Sequence, residues 1–173
     1  WQRLYDRRED YRLGVVPLLF NAGKATIRGG ELEVTWSVTS HLRVDASAGY
    51  LDSGFDSITP PPPFGSVSPT ATANLSSRLP FTPEWTTHVG VAYDVIFSNG
   101  WTMTPRLDTS YTGAQFFDAG NSVEVSQMGG VTIWSGSLAL ESPDSKWRIS
   151  ANGQNLGDKL YPVAGTSSLS TSS

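Results

Sequence analysis

The sequence predicts an all-β chain of long antiparallel strands, and three observations point to this class. Apolar and polar residues alternate with period two over several stretches, as in strands whose two faces meet different surroundings. Short turn motifs join these stretches in pairs. The chain has 17 Gly and 11% aromatic residues, while charged residues reach only 16%, below the roughly 25% of ordinary soluble domains.

The composition also excludes several classes of protein. The longest apolar run, Gly14 to Phe20, is interrupted by Pro17 and is far shorter than the roughly 20 residues of a membrane-spanning helix. The chain has no Cys, which excludes disulfides, thiolate metal sites and thiol catalysis. A net charge of −4 argues against nucleic-acid binding. Because the chain opens at Trp1 without a leader, we expect a processed or longer parent.

The first predicted hairpin covers residues 31–50. Its first strand alternates acidic and hydroxyl residues with an apolar set, namely Leu32, Val34, Trp36 and Val38. A polar turn at residues 39–41 leads into the return strand, which alternates from Leu42 to Tyr50 with Arg43 and Asp45 on the opposite face. An earlier strand, around Tyr11 to Phe20, is less regular.

The second predicted hairpin runs from Trp85 to Tyr111. Its strands alternate up to Phe97 and again from Trp101, and the turn between them contains Asn99-Gly100. Asn-Gly is a strong hairpin signal because both residues accept a positive φ. Pro105 falls in the return strand and has no N–H to donate, so we expect a bulge or an unpaired carbonyl there.

The third predicted hairpin has strands at 134–141 and 147–152, joined by a turn at 142–145. The connections of the chain therefore alternate in length. Three are short turns, whereas residues 52–83 and 113–130 form two long loops. Loops beyond roughly 12–15 residues usually carry function. Short turns at one end and long loops at the other are typical of outer-membrane barrels.

Aromatic residues on the apolar face lie at two levels. Those beside the short turns are Trp36, Phe97, Trp101 and Trp147, and those beside the long loops are Tyr50, Trp85, Tyr111 and Trp134. From Trp101 to Tyr111 the strand is roughly 33 Å long, which becomes about 25 Å in height at a tilt of about 40°. This matches the apolar band of a barrel, so we predict interface aromatics in contact with outer-membrane lipid. The predicted fold is an antiparallel transmembrane β-barrel segment of about seven strands from a larger barrel.

The opposite face carries charges that a dry interior would not accept without partners. Examples are Glu33, Arg43, Asp45, Arg106, Asp108 and Arg148. A wet or plugged lumen accepts them. Two alternatives stay open: a soluble, secreted β-sandwich that binds glycans through its six Trp, and an outer-membrane barrel with no transport role.

Four motifs resemble the barrel domain of TonB-dependent receptors. Residues 21–25 with Ile27, Gly29 and 31–33 resemble an NAGKAxIxGxELE signature, and residues 155–161 are similar to NLxDKxY. Leu79-Pro80 to Trp85 resembles the P-x-x-P-x-W that opens a strand, and residues 104–111 resemble TPRxDxSY. The motifs span residues 21–161 in the order and spacing of the family.

The resemblance implies a Gram-negative outer-membrane receptor with a barrel of about 22 strands and a plug. Such a receptor imports a scarce nutrient, for example a siderophore-iron complex or another small ligand, with energy passed from TonB through the plug. Residues 1–173 are then a partial barrel domain. We expect the plug, the TonB box and the final strand to be absent from it.

No catalytic, cofactor or metal motif stands out, and we expect no enzymatic activity. His41 and His88 are the only histidines and show no metal-ligand spacing. The mixed charges of residues 6–10 are typical of a solvated loop. The candidates for ligand contact are the aromatic and acidic residues of the long loops, namely Asp52, Phe55, Asp56, Phe64, Phe116, Phe117 and Asp118.

Overall fold

The computed structural model describes residues 3–13, 16–58, 74–121 and 127–165, with side chains from residue 23 onward. Every regular element in these ranges is a strand, which confirms the predicted all-β class. The strands are β1 Arg3–Leu13, β2 Val16–Ser37, β3 Leu42–Ile58, β4 Trp85–Tyr93, β5 Val95–Ile96, β6 Thr102–Thr112, β7 Gln115–Phe116, β8 Gln127–Met128, β9 Val131–Glu141 and β10 Arg148–Gly153. No described helix is long and apolar enough to cross a bilayer.

The strands form one antiparallel meander. Its order is β1-β2-β3-β4-β6-β9-β10, with β5 continuing the line of β4 against β6, and a separate ribbon pairs β7 with β8. A soluble sandwich would bury the apolar residues of this sheet against a second packed sheet, whereas Leu32, Trp36 and Ile149 are 60% or more exposed.

The register sorts the side chains onto two faces, since directly paired residues point the same way. We call the face with Trp36, Val91 and Leu107 the apolar face; Trp36 pairs with Val44, and Val91 pairs with both Val44 and Leu107. We call the other face the polar face. One of its rows is Asp45, Gly90, Asp108 and Ser135, taken across β3, β4, β6 and β9.

The sheet also has two unlike ends. The short connections 38–41, 97–101 and 142–147 lie together at what we call the turn end. The segments 74–84, 113–121 and 127–130 lie at the opposite, loop end. The three predicted turns and the hairpins around them are confirmed.

The turn at Asn99-Gly100 differs from the expected conformation. Gly100 has a φ of 82°, but Asn99 is not among the residues with positive φ. The Gly100 N–H donates to Phe97 O at 2.9 Å, and the Phe97 N–H donates to Trp101 O at 2.8 Å. This is a three-residue hairpin loop in which only the last residue is left-handed, so the Gly alone supplies the unusual φ.

Pro105 interrupts the sheet without shifting it. The pairs Ala92–Arg106 and Val95–Met103 flank it in one continuous register, which places Pro105 opposite Tyr93. Strand β4 ends at Tyr93 and β5 begins at Val95. Of the two expected outcomes, a bulge or an unpaired carbonyl, the continuous register excludes the bulge. The missing N–H breaks the ladder locally while the strand passes straight through.

Toward the loop end the strands are longer than predicted. The segment Tyr11 to Phe20 is not one strand but two arms of a hairpin, in which Leu13 pairs with Val16. Strand β3 continues to Ile58, so the predicted loop from residue 52 begins later. The alternation fades here because both faces carry polar residues. Pairing with β2 maintains the end of β3 instead, and β2 is itself paired with β1.

Candidate functional site

The polar face carries an ion-pair network at mid-strand. Arg106 on β6 donates from Nη1 to Asp45 Oδ1 at 2.8 Å and from Nη2 to Asp45 Oδ2 at 2.9 Å. The same guanidinium bonds Asp108, with Nε at 3.0 Å from both carboxylate oxygens and Nη2 at 2.6 Å from Oδ1. One planar fork thus joins two carboxylates, a geometry that Lys could not reproduce.

Gly90 makes this geometry possible. It lies on β4 directly between Asp45 and Asp108 in the register. A Cβ at position 90 would stand 2.1 Å from Arg106 Nη2 and 2.7 Å from an oxygen of each carboxylate. The guanidinium therefore occupies the space that any other residue would fill. A Gly inside a strand often marks such a close approach.

His88 completes the network. Its Nε2 lies 3.2 Å from Asp45 Oδ2 and 3.4 Å from Asp108 Oδ1. The ligand atoms of these three residues lie within 4.8 Å of one another, close enough for a metal ion to be considered. The guanidinium of Arg106 already bridges the carboxylates, so we interpret the group as an ion-pair network rather than a metal centre. Sequence spacing gave no hint that His88 would join the two acids.

A smaller polar group lies nearer the turn end. Arg43 Nη2 stands 3.3 Å from Asp94 Oδ1, and the Thr104 hydroxyl donates to the same oxygen at 2.7 Å. Asp94 lies at the strand break beside Pro105, and its N–H donates to His41 O at 2.8 Å. Four of the charges predicted for the polar face are thus paired within the region from β3 to β6, namely Arg43, Asp45, Arg106 and Asp108. Arg148 pairs instead with Glu141 on β9.

At the loop end, part of the chain folds back over the polar face. Phe117, Met128 and Val131 form a buried cluster, and Ile133 packs against it. Val131 and Ile133 alternate with Trp134, which pairs with Thr109 on the apolar face, so the cluster lies on the polar side. The β7–β8 ribbon therefore covers the inner side of the sheet's rim instead of standing away from it.

Asn121 joins this segment to the other loop. Its Oδ1 accepts the Arg78 N–H at 2.6 Å, and its Nδ2 donates to Arg78 O at 2.9 Å and to Asp118 O at 3.2 Å. The Phe81 N–H also donates to Phe116 O at 2.9 Å. We call the Asn121–Arg78 pair the amide clamp. It holds together two segments that are 43 residues apart in sequence.

The predicted ligand-contact residues do not form one group. Asp52, Phe55 and Asp56 lie on strand β3, not on a loop, and Asp56 Oδ2 accepts a hydrogen bond from Thr26 at 2.6 Å. Phe64 lies outside the described residues. Phe116 lies on β7 and Asp118 follows it. Phe117 is 6% exposed within the cluster, so the chain's own side chains cover its ring.

The predicted interface aromatics all belong to the apolar face, at its two levels. At the loop end Tyr50 pairs with Trp85, and their rings lie 4.9 Å apart. At the turn end Phe97 and Trp101 are joined across the hairpin by a backbone hydrogen bond of 2.8 Å. Seven of the eight side chains are classed as exposed, and Trp101 is partly exposed. In contrast to the polar face, large apolar side chains here lack covering neighbours.

Comparison with known proteins identifies the relatives of this sheet. The family described as "TonB dependent receptor-like, beta-barrel" matches residues 4–156. No curated protein matches the chain. The ferric yersiniabactin uptake receptor of Yersinia pestis is similar at 25% identity and a TM-score of 0.70, over 88% of this chain and 22% of that one.

Two further solved structures come from Acinetobacter baumannii. The siderophore receptor PiuA has 17% identity and a TM-score of 0.67, over 92% of this chain and 21% of its own. The ferric preacinetobactin receptor BauA has 18% identity and a TM-score of 0.62, over 90% and 22%. These likenesses confirm the predicted barrel class, although the described sheet is not closed. The chain spans about a fifth of the length of these receptors.

Proposed function

Because the chain belongs to the TonB-dependent receptor β-barrel family, we propose that it forms part of the wall and outer rim of a receptor in the Gram-negative outer membrane. The ligand that we propose is an iron chelate of the siderophore class. The three similar proteins are a ferric yersiniabactin uptake receptor, a siderophore receptor and a ferric preacinetobactin receptor. The role is transport, with no catalytic step.

The contrast between the two faces carries this proposal. The apolar face exposes residues such as Leu32, Val89 and Leu138 between two aromatic rows. Water would penalise that surface by roughly 25 cal/mol per Å² of exposed apolar area, and lipid would not. The polar face instead offers paired charges that a water-containing lumen accepts. A strand wall with lipid on one side and a lumen on the other accounts for both faces.

The remaining partners follow from the family. TonB would provide the energy for transport by acting on a plug domain, which belongs to another part of the receptor. Ligand would enter from the loop end, where Asp52, Phe55, Asp56, Phe116 and Asp118 are our candidate contacts. Phe117 is a packing residue in this scheme, because its ring is covered.

The test is uptake by cells that carry the intact gene containing this segment and lack their other iron receptors. We expect the protein in the outer-membrane fraction, with a gel mobility that changes on heating. We expect radiolabelled iron to accumulate with at least one siderophore, and uptake to stop when TonB is deleted. Outer-membrane localisation without TonB-dependent uptake of any chelate would favour a non-transporting barrel. A protein that stays soluble without detergent would overturn both hypotheses, the transporting receptor and the non-transporting barrel.

A further inference from the structure

Three side chains of the ion-pair network have the spacing of metal ligands. His88 Nε2 lies 3.2 Å from Asp45 Oδ2 and 3.4 Å from Asp108 Oδ1. Imidazole nitrogen and carboxylate oxygen bind Zn²⁺ at about 2.0–2.2 Å, so two ligands of a tetrahedral ion lie about 3.4 Å apart. Both distances from His88 match that spacing. In the described part of the chain, this is the one group of three or more His, Cys, Asp or Glu side chains close enough to share an ion.

The guanidinium of Arg106 is bonded to the same two oxygens. Its Nη2 donates to Asp108 Oδ1 at 2.6 Å and to Asp45 Oδ2 at 2.9 Å. These are the oxygens that, together with His88 Nε2, would bind an ion. Because the guanidinium stays protonated in proteins, it is a fixed positive charge where a divalent cation would bind. The two cations would compete for the same ligands and repel each other, so Arg106 excludes the metal ion.

Gly90 provides the space for this cation. A Cβ at position 90 would lie 2.1 Å from Arg106 Nη2 and 2.7 Å from both Asp45 Oδ2 and Asp108 Oδ1. The backbone of β4 therefore leaves a gap in front of the two oxygens, independently of the hydrogen bonds that fill it. Without the guanidinium the gap would be open, and two carboxylates would attract a cation from solution.

A metal ion held here would have a chemical property that the arginine lacks. Three protein ligands leave at least one coordination position open, as in catalytic zinc sites. On the polar face, such a position would be available to a chelating molecule in the lumen. A guanidinium offers no such position, because it only donates hydrogen bonds. The wall therefore does not bind the donor atoms of a chelator through a metal while Arg106 supplies the positive charge.

We propose that Arg106 has a second role besides joining the strands. It is a built-in cation that closes a three-ligand site for divalent metal ions in the lumen wall, and Asp45, His88 and Asp108 are the ligands of that site. This inference goes beyond the proposed function, because it concerns metal ions bound by the wall itself, whatever ligand the receptor carries. Its test contains no uptake measurement, so a failure here is distinguishable from a failure of the proposed function.

The experiment measures Zn²⁺ binding by the intact receptor, purified in detergent and stripped of metal with a chelator. Isothermal titration counts the ions, and the wild type gives the background from the rest of the receptor. We expect R106A to bind one Zn²⁺ more than the wild type. R106Q, whose side chain is neutral but keeps a hydrogen-bond donor, should gain the same ion. R106K keeps the positive charge without the planar fork and should gain none.

The matched control adds H88A to R106A. Loss of an outer-shell partner alone costs about 10–100-fold in metal affinity, so loss of a ligand should weaken Zn²⁺ binding at least about tenfold. Unfolding by urea gives an independent measurement. Zn²⁺ should raise the midpoint of R106A more than that of the wild type, because an ion that binds only the folded state stabilises it by mass action.

Four results would overturn the proposal. In the first, R106A and R106Q assemble but gain no ion. In the second, the extra ion persists when H88A is added, and so lies elsewhere. In the third, R106K gains the ion as R106A does, so the charge is not what excludes it. In the fourth, the wild type already holds an ion that H88A removes. If neither R106A nor R106Q assembles even in medium with Zn²⁺, the ion does not replace the missing cation, and the proposal fails as well.

Discussion

The wall and the loop end of this molecule are stabilised in different ways. In the wall, meaning the strands and the turn end, polar contacts join residues that the sheet register already places side by side, as with Asp45, Gly90 and Asp108. At the loop end, the amide clamp and the Phe117 cluster join segments that no register aligns. Changes in the wall should therefore affect assembly of the barrel, and changes at the loop end should affect only its rim.

The largest effect is expected from removal of the cation of the wall network. R106M keeps most of the side-chain length but removes the guanidinium, and only His88 Nε2 then lies close to both carboxylates. Loss of one partner of a buried ion pair costs about 3–5 kcal/mol, and partial exposure reduces this to about 2–3 kcal/mol here. The measurement is the urea midpoint of unfolding of the intact receptor in detergent. Adding D45N and D108N should restore most of the loss, and a triple variant no more stable than R106M would contradict the network.

The second-largest effect is expected when the space between Gly90 and the Arg106 guanidinium is filled. G90A places a methyl group 2.1 Å from the position of Arg106 Nη2, so the guanidinium must leave at least one carboxylate. We expect a loss of about 1–3 kcal/mol, as for broken hydrogen bonds to charged groups. Because both changes break the same contacts, G90A and R106M should not be additive. The matched control is G30A on β2, where a Cβ would have no neighbour within 4 Å.

A smaller and more local effect is expected at the loop end. N121A removes the Oδ1 and Nδ2 contacts of the amide clamp and leaves Ala at a φ of 54°. The local cost should be about 1–2 kcal/mol, while the unfolding midpoint of the wall stays unchanged. Limited proteolysis of the intact receptor in vesicles measures it, as faster cleavage between residues 74 and 130. In N121G the φ is accepted, so its cleavage rate should lie between those of wild type and N121A. Equal proteolysis in all three proteins would exclude the clamp.

The contrast between wall and loop end also explains what the sequence could predict. Alternation and turn chemistry placed the three hairpins, because each depends on residues close in sequence, such as Ser98 to Gly100. The position of Gly90 in the middle of a strand could have indicated a close approach of another group. Its location between Asp45 and Asp108 becomes visible only when the register of the strands is known. Neither Asn121 nor Phe81 could be found, since their partners are set by how two loops meet. The candidate contact Phe117 was chosen for its aromatic character, and only the packing shows its ring to be covered.

The smallest effect is expected at the turn end, in the turn that joins β9 to β10. The Ser142 hydroxyl donates to Asp144 Oδ1 at 2.7 Å, and Lys146 Nζ lies 3.0 Å from Oδ2. The Ser142 hydrogen bond, followed by those from Lys146, holds the pKa of Asp144 below its ordinary value of 3.8. A lowered pKa means that the contribution of the carboxylate is complete above that value and is lost as the pH falls below it.

The difference in unfolding midpoint between wild type and D144N should therefore be small at pH 7 and shrink as the pH falls below 3.8, because Asp144 is then progressively protonated. S142A removes the largest cause of the lowered pKa, so the remaining difference should disappear nearer to pH 3.8. The same acid range should leave proteolysis at the loop end unaffected by D144N, since the turn contacts only its own hairpin. If S142A leaves the pH dependence of this difference unchanged, the hydrogen bond from Ser142 does not stabilise the charged form of Asp144, and the prediction is wrong.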